Sequence, residues 1–240
     1  MPPDAVTTAQ APRPRWRRIT GSFLFQLCAA FMVFGLVLSF VAKPYWVPSG
    51  SMEQTLQVGD RVLVNRLAYV GGATPHRGDI VVFDADRTWD ADTAEPVNPI
   101  KAALRWIGEV TGFGPSGANT LIKRVVAGPG QTVRCCSADG ALIVDGRPID
   151  ETYVYQDFAF TAGSLDCTTL PMSQRCLPEV TVPKDSYLVL GDHRSESSDG
   201  AIRCRGRTDP DVGCWRWVHP SEIVGRATAI LWPVTRWSGL

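Results

Sequence analysis

Twenty consecutive residues, Phe23 to Ala42, carry no charge and a single amide, Gln26, and no other stretch restricts the possible folds so much. A helix rises about 1.5 Å per residue, so a run of this length matches a hydrocarbon core of about 30 Å. Arg13, Arg15, Arg17 and Arg18 precede it, with the nearest preceding acid, Asp4, farther off. Excess arginine marks the cytoplasmic side of a span. Beyond the run, Lys43, Tyr45 and Trp46 suit the far interface, where an amine and amphipathic rings anchor a helix end. The sequence therefore predicts a cytoplasmic basic tail over residues 1–19, a transmembrane anchor over 20–43 and an exported remainder. A cleaved secretory signal fits less well, because its apolar region is shorter, about 7–15 residues, and ends in a small-x-small site; here bulky Phe40 stands two before Ala42. A buried core helix is disfavoured too, since the run offers no polar face.

The exported part, nearly two hundred residues by the same reading, is long enough for one large or two small domains with a real core. The chain holds 24 Lys and Arg against 24 Asp and Glu, and beyond the tail the signs are interspersed, which speaks against nucleic acid as a partner. Six of the seven cysteines lie there: Cys135, Cys136, Cys167, Cys176, Cys204 and Cys214. An exported location permits disulfides. The local pairs Cys167–Cys176 and Cys204–Cys214 are preferred, with the adjacent Cys135 and Cys136 unassigned; spacing alone leaves the pairing open. A zinc site is the alternative, without paired C-x-x-C spacing to support it. Cys28 falls inside the apolar run.

The exported part reads as β. Arg61–Asn65, Asp79–Phe83, Leu121–Val126, Ala141–Val144, Tyr187–Leu190 and Ile223–Trp232 are short runs rich in β-branched residues between Gly, Pro or Asp. Asp145-Gly146 after the fourth run is a hairpin signal, because both residues tolerate positive φ. The pattern predicts a mostly β fold, an antiparallel core following a single N-terminal transmembrane helix, with a second smaller β subdomain. The expected boundaries are 44–132 and 186–240 for the core and 133–185 for the subdomain. An insertion at 84–119 departs from the β pattern. Asn98 can cap and Pro99 can open a helix carrying Ile100, Leu104, Ile107 and Thr111 on one face, docked on the β core or resting on a membrane surface.

Pro48-Ser49-Gly50-Ser51-Met52 places a Gly-hinged serine nine residues past the apolar run. At most about 3.5 Å per residue keeps Ser51 within roughly 30 Å of the membrane exit. A serine hydroxyl needs a base before it can attack. Among the three histidines, only His193, in Gly191-Asp192-His193-Arg194, lies in a conspicuous polar motif. Lysine is the stronger candidate. Only Lys43, Lys101, Lys123 and Lys184 interrupt a preference for arginine, and Lys123 falls inside a strand beside Arg124. Arginine cannot act as a base at neutral pH, whereas a desolvated lysine can. Apolar neighbours and a nearby cation both disfavour the ammonium. A working pKa of ~8 corresponds to about 3 kcal/mol of destabilised charge. The plainer reading is an edge-strand lysine reaching solvent. No Ser-x-x-Lys pair occurs, which disfavours a penicillin-binding arrangement.

Five boxes in order, Pro48–Met52, Gly59–Val62, Arg77–Phe83, Lys123–Val126 and Gly191–Asp199, resemble those of bacterial type I signal peptidases, or leader peptidases, over residues 44 to 234. The resemblance implies a membrane-anchored serine endopeptidase with a Ser/Lys dyad, one that removes signal peptides after small residues at −3 and −1. It implies Ser51 as nucleophile and Lys123 as general base. The Ser51 N–H and Ser49 hydroxyl would form the oxyanion hole, and Ser197 would orient the lysine amine. Asp192 and Arg124 would brace the site as an ion pair supported by Asp199. No metal or other cofactor is implied. The implied partners are secretory preproteins, membrane lipid and an export translocon, at the bacterial cytoplasmic membrane with the N-terminus inside. The family usually has Asn where His193 stands and Ser-Arg where Gly200-Ala201 stands; Arg203 is the expected substitute partner for Asp199. Two rivals remain: a self-cleaving repressor-type Ser/Lys protease, and a membrane-anchored domain that binds exported proteins without cutting them.

Overall fold

The computed structural model describes residues 20–85, 89, 120–207 and 212–240. The first element is helix α1, Phe23–Phe40. It ends earlier than the apolar run because proline disfavours helical backbone at the residue before it, and Pro44 follows Lys43 directly. The Val41 N–H closes the helix on Val37 O at 2.8 Å, and Ala42 already begins a strand. Eighteen residues give about 27 Å of helix, and among the described residues no helix is long and apolar enough to cross a membrane. That departs from the expected twenty-residue span. Helix α1 nevertheless points its large side chains away from the rest of the chain, with Phe23 75% and Met32 68% exposed. Cys28 is an exposed free thiol on it.

Eleven described strands follow: β1 Ala42–Trp46, β2 Arg61–Asn65, β3 Ile80–Asp84, β4 Thr120–Ala127, β5 Thr132–Cys135, β6 Leu142–Val144, β7 Arg147–Pro148, β8 Leu177–Thr181, β9 Leu188–Leu190, β10 Ile223–Trp232 and β11 Ser238–Gly239. They form two sheets. The larger has the order β1-β2-β10-β3-β4-β9, with β11 also on β10, and the smaller has the order β7-β6-β5-β8. Every ladder between these strands is antiparallel, as the sequence predicts. The turn between β6 and β7 carries φ of 50° at Asp145 and 74° at Gly146, which is the hairpin geometry expected for Asp-Gly.

Three apolar clusters hold the sheets. Tyr45, Met52, Leu56, Val62 and Ile230 pack on one side of the larger sheet, and Val81, Phe83, Trp89, Val125 and Tyr187 form another group. Val126, Val133, Leu177, Leu188 and Trp215 join the larger sheet to the smaller. The preferred disulfides, Cys167–Cys176 and Cys204–Cys214, are present, and Cys135 is bonded to Cys136. The zinc alternative fails on chemistry: the sulfurs of Cys136, Cys167 and Cys176 lie within 4.8 Å of one another, but each is in a disulfide and offers no thiolate. The helix expected from Asn98 to Thr111 lies outside the described residues.

Strand β4 positions the chemistry. Its first half pairs with β3, Thr120 opposite Asp84 through Arg124 opposite Ile80. On its other side β9 begins only at Arg124, opposite Leu190. Residues 120–123 therefore present an edge with no partner strand on that side among the described residues.

Candidate active site

Strand β1 runs out through Val47 and Pro48 to Ser49, whose backbone is extended, and then into the short 3-10 turn Gly50–Met52. Met52 and Leu56 are sunk in the core, and the Leu56 N–H donates to Met52 O at 2.7 Å. These apolar anchors fix the turn, leaving Ser51 8% exposed. At Gly50 an added Cβ would meet the Glu53 carboxyl group at 3.1 Å, so a neighbouring side chain already limits space at that position.

Lys123 reaches the turn from β4. Its Nζ donates to Ser51 Oγ at 2.7 Å and to Ile122 O at 3.1 Å. It is only 4% exposed, which rules out the solvent-reaching lysine. Burial lowers its pKa to about 8, against an opposing upward pull from the Asp199 and Asp192 carboxylates. The neighbouring cation, Arg124, adds little to this shift because it faces a carboxylate of its own. Its Nε and Nη2 donate to Asp192 Oδ1 and Oδ2 at 2.8 and 2.6 Å, a bidentate pair with Asp192 fully buried. Desolvation, rather than Arg124, is what favours the neutral amine.

Around this pair lies a narrow groove lined by Trp46–Ser49, Ser51, Met52 and Thr120–Lys123. Ser49 Oγ stands 3.5 Å from Ser51 Oγ at its wall. The Ser51 N–H belongs to the first turn of a helical segment, where backbone donors have no partner within the helix.

The loop after β9 closes the site from behind. The His193 N–H donates to Ser51 O at 3.1 Å, while the Gly191 and Ala201 N–H groups donate to Asp199 at 3.3 and 3.1 Å. Arg205, rather than Arg203, lies against Asp199, with Nη2 3.4 Å from Oδ2. The bond expected between Ser197 and the lysine amine is absent; Ser197 Oγ is buried without a hydrogen-bond partner. The His193 imidazole, 3% exposed, also lacks a hydrogen-bond partner at either nitrogen. Its Nδ1 is 3.4 Å from Glu53 Oε2 without hydrogen-bond geometry. Among the described residues, the side chains within hydrogen-bond distance of Ser51 Oγ are thus Lys123 and Ser49.

Three participants carry no sequence signal. The Thr55 hydroxyl donates to Asp192 Oδ2 at 2.6 Å, and Tyr153 places its ring 4.0 Å from the Arg124 guanidinium carbon. Arg205 is the third. Each comes from a loop whose approach depends on tertiary packing. Gly191, inside a recognised box, has a local reason to be glycine: an added Cβ would fall 2.5 Å from both Ser197 Cβ and Ser51 O.

The family model for signal peptidase, peptidase S26, matches residues 20–232. A signal peptidase I of Mycobacterium tuberculosis is 36% identical over 94% of this chain and 77% of its own. A probable signal peptidase I of Mycobacterium leprae is 31% identical over 100% of this chain and 87% of its own. A solved signal peptidase I from Enterococcus faecalis overlaps 65% of this chain and 97% of its own at 22% identity, with a TM-score of 0.35; the fold described above rests on this chain's own strands instead.

Proposed function

The chain belongs to the signal peptidase, peptidase S26, family, and from that premise we infer that it removes signal peptides from exported preproteins using Ser51 and Lys123. The observation that carries the reading is a buried lysine amine 2.7 Å from a serine hydroxyl. With a pKa of about 8, roughly a tenth of Lys123 is neutral at pH 7, and the neutral amine accepts the Ser51 proton as Oγ attacks the scissile carbonyl. The Ser51 N–H and Ser49 hydroxyl meet the developing oxyanion, an effect of about 3–4 kcal/mol per donor in comparable sites. Lys123 then protonates the leaving amine and activates the water that releases the acyl-enzyme. Arg124, Asp192 and Asp199 hold the lysine strand and the loop after β9 in place. Ser197 belongs to that loop, with a buried oxygen free to take up the amine as it moves.

The open edge at residues 120–123 and the facing Val47–Ser49 segment form a slot for an extended chain. Substrate enters as an added strand with alternate side chains in the groove. Shallow pockets admit small residues at −3 and −1 and exclude larger ones by overlap.

Helix α1 serves as a single-pass anchor in the bacterial cytoplasmic membrane. It is shorter than the ~20 residues of a typical span, and local thinning and a snorkelling Lys43 close the gap. The arginine tail stays inside and both sheets lie outside, in a compartment that suits three disulfides. Residues 44–132 and 186–240 form the catalytic core, and 133–185 a supporting subdomain. Membrane lipid is then a partner, and an export translocon a further one.

Preprotein cleavage by wild type, Ser51→Ala and Lys123→Met, each checked for folding by circular dichroism, tests this reading. Both folded variants should lose roughly a thousandfold or more in rate. Near-full activity in Lys123→Met would move the base elsewhere. An intact preprotein with wild type would favour the domain that binds without cutting.

A further inference from the structure

The smaller sheet carries a sulfur cluster that the peptidase chemistry does not use. Strand β5 ends at Cys135, paired with Leu142 on one side and Leu177 on the other, and Leu177 immediately follows Cys176. This register brings the Cys135–Cys136 and Cys167–Cys176 disulfides together. The Sγ atoms of Cys136, Cys167 and Cys176 lie within 4.8 Å of one another, and Cys167 Sγ sits 3.4 Å from Cys135 O. By contrast, Cys204 and Cys214 are both buried, and their bond takes no part in the cluster. Two disulfides with three sulfurs in mutual reach are not independent crosslinks, because a thiolate released from one is already beside the other.

We propose that Cys135, Cys136, Cys167 and Cys176 form a thiol–disulfide exchange site whose partner is a dithiol reductant. The dithiol attacks the partly exposed Cys135–Cys136 bond and leaves as its own cyclic disulfide, so that two electrons pass to the protein and Cys135 and Cys136 become thiols. The Cys136 thiolate then attacks Cys176 Sγ. A Cys136–Cys176 bond forms, the Cys167–Cys176 bond breaks, and the electron pair leaves on Cys167, where a proton is taken up; this second step has no net redox change. Burial favours that direction. Cys176 is buried and Cys167 only partly so, and a thiolate is better left at the more accessible sulfur. The outcome is a migrated disulfide with free thiols at Cys135 and Cys167.

The test is limited reduction of the full chain in detergent with substoichiometric dithiothreitol, rapid alkylation and disulfide mapping by mass spectrometry. The first doubly reduced species should carry label on Cys135 and Cys167 and contain a Cys136–Cys176 bond, with Cys204–Cys214 intact. Label on Cys135 and Cys136 with Cys167–Cys176 retained, or prior opening of Cys204–Cys214, would overturn the proposal. A second arm needs no reductant. In Cys135→Ser the remaining Cys136 thiol can attack directly, so label on Cys167 should exceed label on Cys136 severalfold, and label on Cys136 with none on Cys167, the free Cys28 aside, would contradict the exchange.

Discussion

At the scale of single residues, Lys123 joins two consequences of one burial. Its folded pKa of about 8 lies below the ordinary value of 10.5. Between those values the unfolded chain binds more protons than the folded one, so stability rises with pH across that window; below about 8 both states are charged and the penalty is fully felt. The shift corresponds to about 3 kcal/mol. Lys123→Met should therefore be more stable than wild type at pH 7, with the gap closing as pH rises from about 8 to 10.5 in denaturant titrations. A gap that ignores pH would mean that the amine is not buried as charge. Asp192 carries the opposite kind of cost. Asp192→Ala strands Arg124 without its carboxylate and should lose about 3–5 kcal/mol of stability in the same titrations. Lys123 stood out in the sequence because the chain otherwise prefers arginine. Thr55, Tyr153 and Arg205 did not, because nothing near them in sequence specifies the loop packing that brings them to Arg124, Asp192 and Asp199.

At the scale of elements, most strands were legible because β-branched runs end at Gly, Pro or Asp, and the Asp145-Gly146 turn because its residues meet its backbone demand. Gly146 adopts a φ of 74° with open space around it. Gly146→Val should cost about 1–2 kcal/mol from backbone strain alone and leave preprotein cleavage near the wild-type rate. Gly191 differs, since the space there is filled by Ser197 and the Ser51 carbonyl. Gly191→Ala should displace the serine turn and reduce kcat/KM on the order of a hundredfold, with a stability loss of about 1–3 kcal/mol; a fully active variant would mean that the two loops can part without harm. Helix α1 ends at Phe40, two residues before the apolar run does. Apolar periodicity cannot register the turn into β1, but the Lys43-Pro44 pair does encode it. The open edge of β4 was not legible either, because which strand lies beside another depends on topology rather than on local pattern.

At the scale of the whole molecule, an apolar helix leads directly into β1, and β1 leads directly into the serine turn. That continuity places the groove a fixed, short distance from wherever α1 is held. Removing residues 1–41 should release the protein from sedimenting liposomes while preserving cleavage of a detergent-solubilised preprotein; a truncated chain that still pellets would locate membrane affinity elsewhere. The two-sheet architecture followed from the β pattern, and five short boxes brought the family into view. The vicinal Cys135–Cys136 bond did not follow, because sequence spacing cannot choose among cysteine pairings. The claim on which the rest depends is that Lys123 is the base for Ser51. The most direct measurement is kcat/KM for preprotein cleavage from pH 5 to pH 9. The account predicts a single acid limb with an apparent pKa near 8, tenfold per pH unit, so that activity at pH 6 is about a hundredth of the plateau. A rate that stays flat from neutral pH down to pH 5 would contradict it.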